Sequence, residues 1–118
     1  MATNLLRTIA ATALVVFAYP VLADETGLAA LHALSREAGR TCFLDHYHYG
    51  SSAGLPSERA AKVSAIRSWA GFVDLEYGSD WAQHSRARSK SMKCERSTSG
   101  WSCMVEARPC NSPRSGRH

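Results

Sequence analysis

His46 and His48 stand two residues apart in Thr41-Cys42-Phe43-Leu44-Asp45-His46-Tyr47-His48-Tyr49. On an extended strand that spacing projects both imidazoles from one face, together with Cys42 and Leu44. Two imidazoles on one face supply two ligands of a zinc or copper ion, and a third must come from elsewhere. His84 and Glu76 are the candidates, while Asp45 points away. The plainer reading packs both imidazoles, with Tyr47 and Tyr49, as rings at a sheet surface. Other chemistry is thin. No phosphate-binding glycine loop is present, so no cofactor is implied. Asp74, Glu76 and Asp80 cluster at one helix end and read as surface acids rather than a hydrolytic pair.

The four cysteines are better spent on bridges than on catalysis or zinc, because no Cys-x2–4-Cys knuckle is present. Met92 to Cys110 reads as a β-hairpin. Setting Cys94 opposite Cys103 puts Met92 against Val105, Lys93 against Met104 and Arg96 against Trp101. One face then collects Met92, Cys94, Arg96, Trp101, Cys103, Val105 and Ala107, while Lys93, Glu95, Ser102, Met104, Glu106 and Arg108 take the other. A slip of one residue would scramble this sorting. Ser97 to Gly100 remain as the loop, and Arg96 can stack on Trp101. Cys103 and Cys110 lie about 23 Å apart along an extended chain, beyond the roughly 7 Å span of a bridge. The register selects Cys94–Cys103, leaving Cys42–Cys110. That second bridge closes 68 residues, which the loop-entropy model values at about 4 kcal/mol.

Residues 1–23 have the pattern of a secretory signal: Arg7 before an apolar centre, Ile9 to Tyr19, then Pro20 and small residues before a cut ahead of Asp24. The apolar run is short for a membrane span, and no second one follows. The expectation is an exported protein, periplasmic or secreted, with no transmembrane segment after cleavage, in a compartment where disulfides persist.

Four segments follow: 1–23 as signal; 24–40 as an N-terminal segment or short helix, capped by Thr26 and ended by Gly39; 41–110 as the disulfide-bonded domain; and 111–118 as a disordered basic tail. Thr41 to Tyr49 is the first strand. Ser57 caps a helix reaching about Tyr77, with a buried stripe of Val63, Ile66, Ala70 and Val73 flanked by Trp69 and Phe72, and Gly78 stops it. Ser79 to Lys93 lacks clean period. It reads as a strand with a bulge near Ser89, with a continuing helix through Trp81, Ser85 and Arg88 as the competitor. The fold class is α+β: a small antiparallel sheet in strand–helix–strand–strand order, with one main helix packed on it.

Charge is uneven. The whole chain carries a formal +4, and the stretch after Ser85 holds eight Lys or Arg against two acids. Arg86, Arg88 and Lys90 alternate along one strand face, and with Trp81, Arg96 and Trp101 they define a candidate binding surface. An exported protein makes nucleic acid a poor partner. An anionic envelope component or a protein partner suits the same charges better.

His46-Tyr47-His48-Tyr49-Gly50, Arg67-Ser68-Trp69-Ala70-Gly71-Phe72, Glu76-Tyr77-Gly78-Ser79-Asp80-Trp81-Ala82, Ser91-Met92-Lys93-Cys94, Trp101-Ser102-Cys103 and Ala107-Arg108-Pro109-Cys110 carry a resemblance to a group of uncharacterised short secreted proteins of Gram-negative bacteria. It covers about Thr41 to Cys110 and implies export and disulfides, with no activity. The element order is also similar to dodecin-type flavin-binding folds, in architecture alone. The sequence therefore reads first as an exported, non-catalytic binding or structural module that meets anionic envelope components through a basic sheet face. A metal-binding protein or small metallo-hydrolase using His46 and His48 is the alternative. A flavin-binding, dodecin-like oligomer is the third reading.

Overall fold

The computed structural model describes residues 11–15 and 25–111. The expected signal at 1–23 and the tail after Asn111 fall for the most part outside them. Among the described residues the fold is α+β. One α-helix packs with two three-stranded antiparallel sheets, stapled by Cys42–Cys110 and Cys94–Cys103. No described helix is long and apolar enough to cross a membrane.

The helix, α1 (Glu58–Tyr77), begins where its sequence says it should. The Ser57 hydroxyl accepts from the Ala60 amide at 3.1 Å, and Glu58 lies in the positive first turn and pairs with Lys62 at 3.1 Å. It ends at Gly78, whose amide donates to the Asp74 carbonyl. Its buried face differs from the predicted stripe. Ala61, Ala65, Trp69, Val73 and Tyr77 are buried, while Val63 and Phe72 are exposed. Picking the stripe by side-chain bulk misses Ala61 and Ala65, which take two positions of that face.

The strand that crosses α1 is β3 (His48–Ser51). It pairs with β5 (Gly100–Arg108), which pairs with β4 (Arg88–Ser97), giving the order β3-β5-β4. Gly50 faces α1 so closely that a Cβ built on it would lie 2.7 Å from the Trp69 Cβ and closer still to the Ala65 carbonyl and the Trp69 amide. Ala61 and Ala65 make the remaining room. The β4–β5 register is the predicted one: Cys94↔Cys103, Met92↔Val105, Lys93↔Met104 and Arg96↔Trp101. The loop is tighter than expected, since Ser97 and Gly100 also pair. The Arg96 guanidinium lies 5.9 Å from the Trp101 ring centre. A bulge separates Arg88 from Ser91, with Ser89 at φ 52°. Ahead of it the chain makes two short 3-10 turns, Ser79–Trp81 and His84–Arg86, so the strand expected from Ser79 starts only at Arg88 and α1 does not continue.

The predicted first strand is two strands. β2 (Arg40–Phe43) stops before a bend at 44–47, and β3 starts after it in the other sheet. Cys42 and His48 therefore do not share a sheet face. The predicted helix at 24–40 is instead a 3-10 turn, Leu28–Leu31, followed by β1 (Leu34–Glu37), which forms a hairpin with β2. Ala38 and Gly39 make its two-residue turn, both at positive φ, so Gly39 serves a turn rather than a helix end. β6 (Cys110–Asn111) closes that sheet in the order β1-β2-β6, with Asn111 opposite Thr41 rather than in a disordered tail. Phe43, Trp69, Val73, Tyr77, Trp81 and Val105 form the core between the layers.

Arg108 joins the two sheets. It is 9% exposed, and its two Nη groups hold Glu37 of β1 at 2.7 and 2.8 Å. It also donates to the Phe43 carbonyl at 2.6 Å and to the Ser89 hydroxyl at 3.1 Å. Hydrogen bonds from Arg108 and Ser35 hold the Glu37 carboxyl at about 2, against an ordinary value of 4.5. A carboxylate held low in the native state leaves the unfolded chain binding more protons, so stability rises with pH in that window. The pair's contribution is complete above pH 4.5 and lost as pH falls toward about 2. Hydrogen bonds to charged groups contribute about 1.5–3 kcal/mol. Urea midpoints should therefore fall steeply as the buffer is acidified through this window. Glu37→Gln should be less stable at neutral pH and lose most of that slope. An unchanged slope in the variant would mean that other groups govern the acid limb.

Candidate functional site

Tyr77 ends α1 and is fully buried. His48 begins β3, and the close passage of Gly50 over α1 brings it against the last turn of the helix. His46 comes from the bend between β2 and β3, and His32 from the residue after the first 3-10 turn. The three imidazoles reach the same phenol. The Tyr77 Oη lies 3.1 Å from His46 Nε2, 3.2 Å from His48 Nε2 and 3.3 Å from His32 Nε2. His46 and His48 also meet each other, Nε2 to Nε2, at 3.2 Å. The phenol donates to Glu76 Oε1 at 3.1 Å, and Glu76 Oε2 is 3.5 Å from His48 Nε2.

The rings are braced around this point. His32 stacks on His46 with centroids 4.5 Å apart and meets Phe43 edge-on at 5.0 Å. Phe43 lies 4.7 Å from the Tyr77 ring. The segment carrying His32 is tied to the end of α1, where the Thr26 hydroxyl donates to the Glu76 carbonyl at 2.6 Å. Burial and the neighbouring Glu76 push the Tyr77 hydroxyl up to about 12. Burial pulls His48 below its ordinary value, with Glu76 opposing, so its imidazole favours the neutral form.

More polar atoms crowd the phenol than it can bond at once. A phenol has one proton and two lone pairs, so it serves three partners at most, and here four surround it. With its proton on Glu76, it accepts from two imidazoles. If His46 and His48 are those donors, their N–H groups face each other at 3.2 Å. If one imidazole donates to the other, its proton is shared between two acceptors. A cation held by His46, His48 and Tyr77 would take one lone pair from each of the three atoms. Ligand atoms at about 2.0 Å from a tetrahedral zinc lie about 3.3 Å from one another. The three edges of the His46–His48–Tyr77 triangle are 3.2, 3.2 and 3.1 Å. Among the described residues no three His, Cys, Asp or Glu side chains are gathered to hold a metal ion, and the third donor of this triangle is the phenol.

Of the third ligands named from sequence, Glu76 reaches the cluster and His84 does not. His84 packs edge-on against Trp69, 5.4 Å between centroids, with its Nε2 buried and unpaired. Tyr77 and His32 were missed. A tyrosine closing a helix beside a carboxylate was a weak signal for the first. The segment holding His32 carried none.

The residues of the candidate basic surface do not form one patch. Trp81 is 2% exposed and stacks near Phe43 in the core, so its size, which suggested a binding platform, serves packing instead. Arg96 and Trp101 sit at the tip of the β4–β5 hairpin, opposite each other next to its turn. Arg86, Arg88 and Lys90 lie at its far end, before and within the bulge. The fold and site together define a small α+β module with two cross-strand disulfides and a histidine–tyrosine cluster. Compared with family models, curated proteins and solved structures, the chain matches none.

Proposed function

We propose that this protein is a small exported metal-binding module, taking one divalent transition ion, zinc or copper, at His46, His48 and Tyr77. The observation that carries the reading is the triangle of Nε2, Nε2 and Oη atoms with edges of 3.1–3.2 Å. Imidazole suits zinc and copper better than calcium or magnesium, which prefer carboxylate and carbonyl oxygen. His32 and Glu76 flank the phenol and fix its direction, the part that neighbouring groups play around metal ligands.

The test is metal content and metal-dependent melting of the purified mature protein, exposed separately to zinc, copper and magnesium and then dialysed. Wild type should retain one equivalent of zinc or copper and melt higher with it. His46→Ala/His48→Ala should retain none, and Tyr77→Phe, which keeps the ring, should bind at least about tenfold more weakly. Equal retention by wild type and the double histidine variant would refute the site.

A further inference from the structure

A second site lies between the β1–β2 hairpin and the start of β4. An open cleft of about 390 Å³ is lined by Glu37, Arg40, Ser85, Arg88, Lys90 and Arg108, with Ala87 and Ser89 completing the wall. Its size is that of small-ligand clefts. Four cations meet one carboxylate there, and that carboxylate is already committed. Both Glu37 oxygens are held by Arg108, which also donates to the Phe43 carbonyl and the Ser89 hydroxyl. Arg108 and Glu37 thus form a neutral floor. Three cations remain above it.

Each of the three is anchored on one side. Arg40 donates through Nη1 to the Arg86 carbonyl at 2.8 Å, and Lys90 donates to the Ser85 carbonyl at 3.3 Å. Arg88 approaches Glu37 only through Nε, at 3.8 Å. Each anchor uses a fraction of the donors available, since a guanidinium has five and an ammonium three. The bulge at Ser89, with its positive φ, sits between Arg88 and Lys90 in this wall. Cations gathered over a neutral floor repel one another unless an anion lies among them. We infer that this cleft binds a phosphate group, through Arg40, Arg88 and Lys90. Guanidinium forks match tetrahedral oxyanions, and an ammonium adds a point charge. The phosphate is either free or carried on a lipid headgroup, and the chemistry of recognition is the same. The site is independent of the histidine cluster.

Calorimetric titration of the mature protein with inorganic phosphate, and co-sedimentation with phosphatidylglycerol or phosphatidylcholine vesicles, distinguish the two sources. Arg88→Gln/Lys90→Gln is the test variant, because both side chains are exposed and their loss spares the core. Lys93→Gln/Arg96→Gln removes the same charge elsewhere on β4. Binding of inorganic phosphate supports a free ligand. Retention on phosphatidylglycerol vesicles alone supports a headgroup. In either case the test variant should bind at least about tenfold more weakly and the control within about twofold of wild type. Equal weakening in the two variants would reduce the effect to net charge and overturn the cleft. So would no binding in any arm.

Discussion

Gly50→Ala is expected to lower stability by more than about 3 kcal/mol or to prevent folding, while Gly71→Ala raises it by about 0.5–1 kcal/mol. The two substitutions add the same methyl group and should move the melting temperature in opposite directions. At Gly50 the new Cβ would drive into the Ala65 carbonyl and the Trp69 amide, both backbone atoms of α1, with the Trp69 Cβ at 2.7 Å. A flexible side chain could turn aside, but a helix backbone cannot. Relief requires β3 to lift from α1, and that separates His48 from Tyr77. At Gly71 a Cβ meets nothing within 4 Å, on an exposed face of the same helix. There alanine only reduces the freedom of the unfolded chain and improves helix propensity. For a domain of this size each kcal/mol moves the melting point by about 4–8 °C, so the two should stand well apart in a thermal melt followed by circular dichroism. A Gly50→Ala protein that melts with wild type would mean that β3 does not press on α1 as described.

Removing Cys42–Cys110 is expected to cost more than removing Cys94–Cys103. Both bridges join residues directly opposite each other in an antiparallel pair. The loops they close differ greatly, with sequence separations of 68 and 9. The loop-entropy model gives about 4.4 kcal/mol for the first and about 2.6 for the second. Burial adds in the same direction. Cys42 and Cys110 are fully buried, whereas Cys94 is half-buried and its partner 4% exposed. Cys110 also anchors a strand of only two residues, whose hold on β2 is otherwise slight. Urea denaturation of Cys42→Ala/Cys110→Ala and Cys94→Ala/Cys103→Ala measures the order. If the hairpin variant proves the weaker protein, loop length and burial do not set the order of the two bridges. Since small domains hold about 5–15 kcal/mol in all, the loss of the long bridge removes a large fraction.

The two disulfides were legible for different reasons. Cys94–Cys103 follows from alternation along two neighbouring strands, a local pattern that survives any tertiary arrangement. Cys42–Cys110 followed by elimination, because Cys103 and Cys110 cannot meet along one strand. The helix ends were legible too, because Ser57 and Gly78 act on their own backbone neighbours. The bulge at Ser89 showed as a break in alternation. His46 and His48 were visible as a pair, but the face they were assigned to was not real, since the chain bends at 44–47 and changes sheet. Arg108 looked like one charge on a solvated strand face, yet it lies buried against Glu37, 71 residues away in sequence. Trp81 looked like a surface platform, and the core claims it.

Composition, period and the chemistry of caps and cysteines thus determined the class of the fold, the hairpin with its register, both bridges and the extent of the helix. Each depends on residues that are neighbours along the chain or across one turn, or on a choice among few pairings. Only the tertiary structure decided which face of α1 is buried, that the first strand is two, that His46, His48 and Tyr77 meet at one point, and that Arg40 faces Arg88 and Lys90 across a cleft. These depend on how closely two backbones can pass. That distance is set where Gly50, Ala61 and Ala65 let β3 and α1 touch, and small residues leave no mark in a pattern read for bulk or charge.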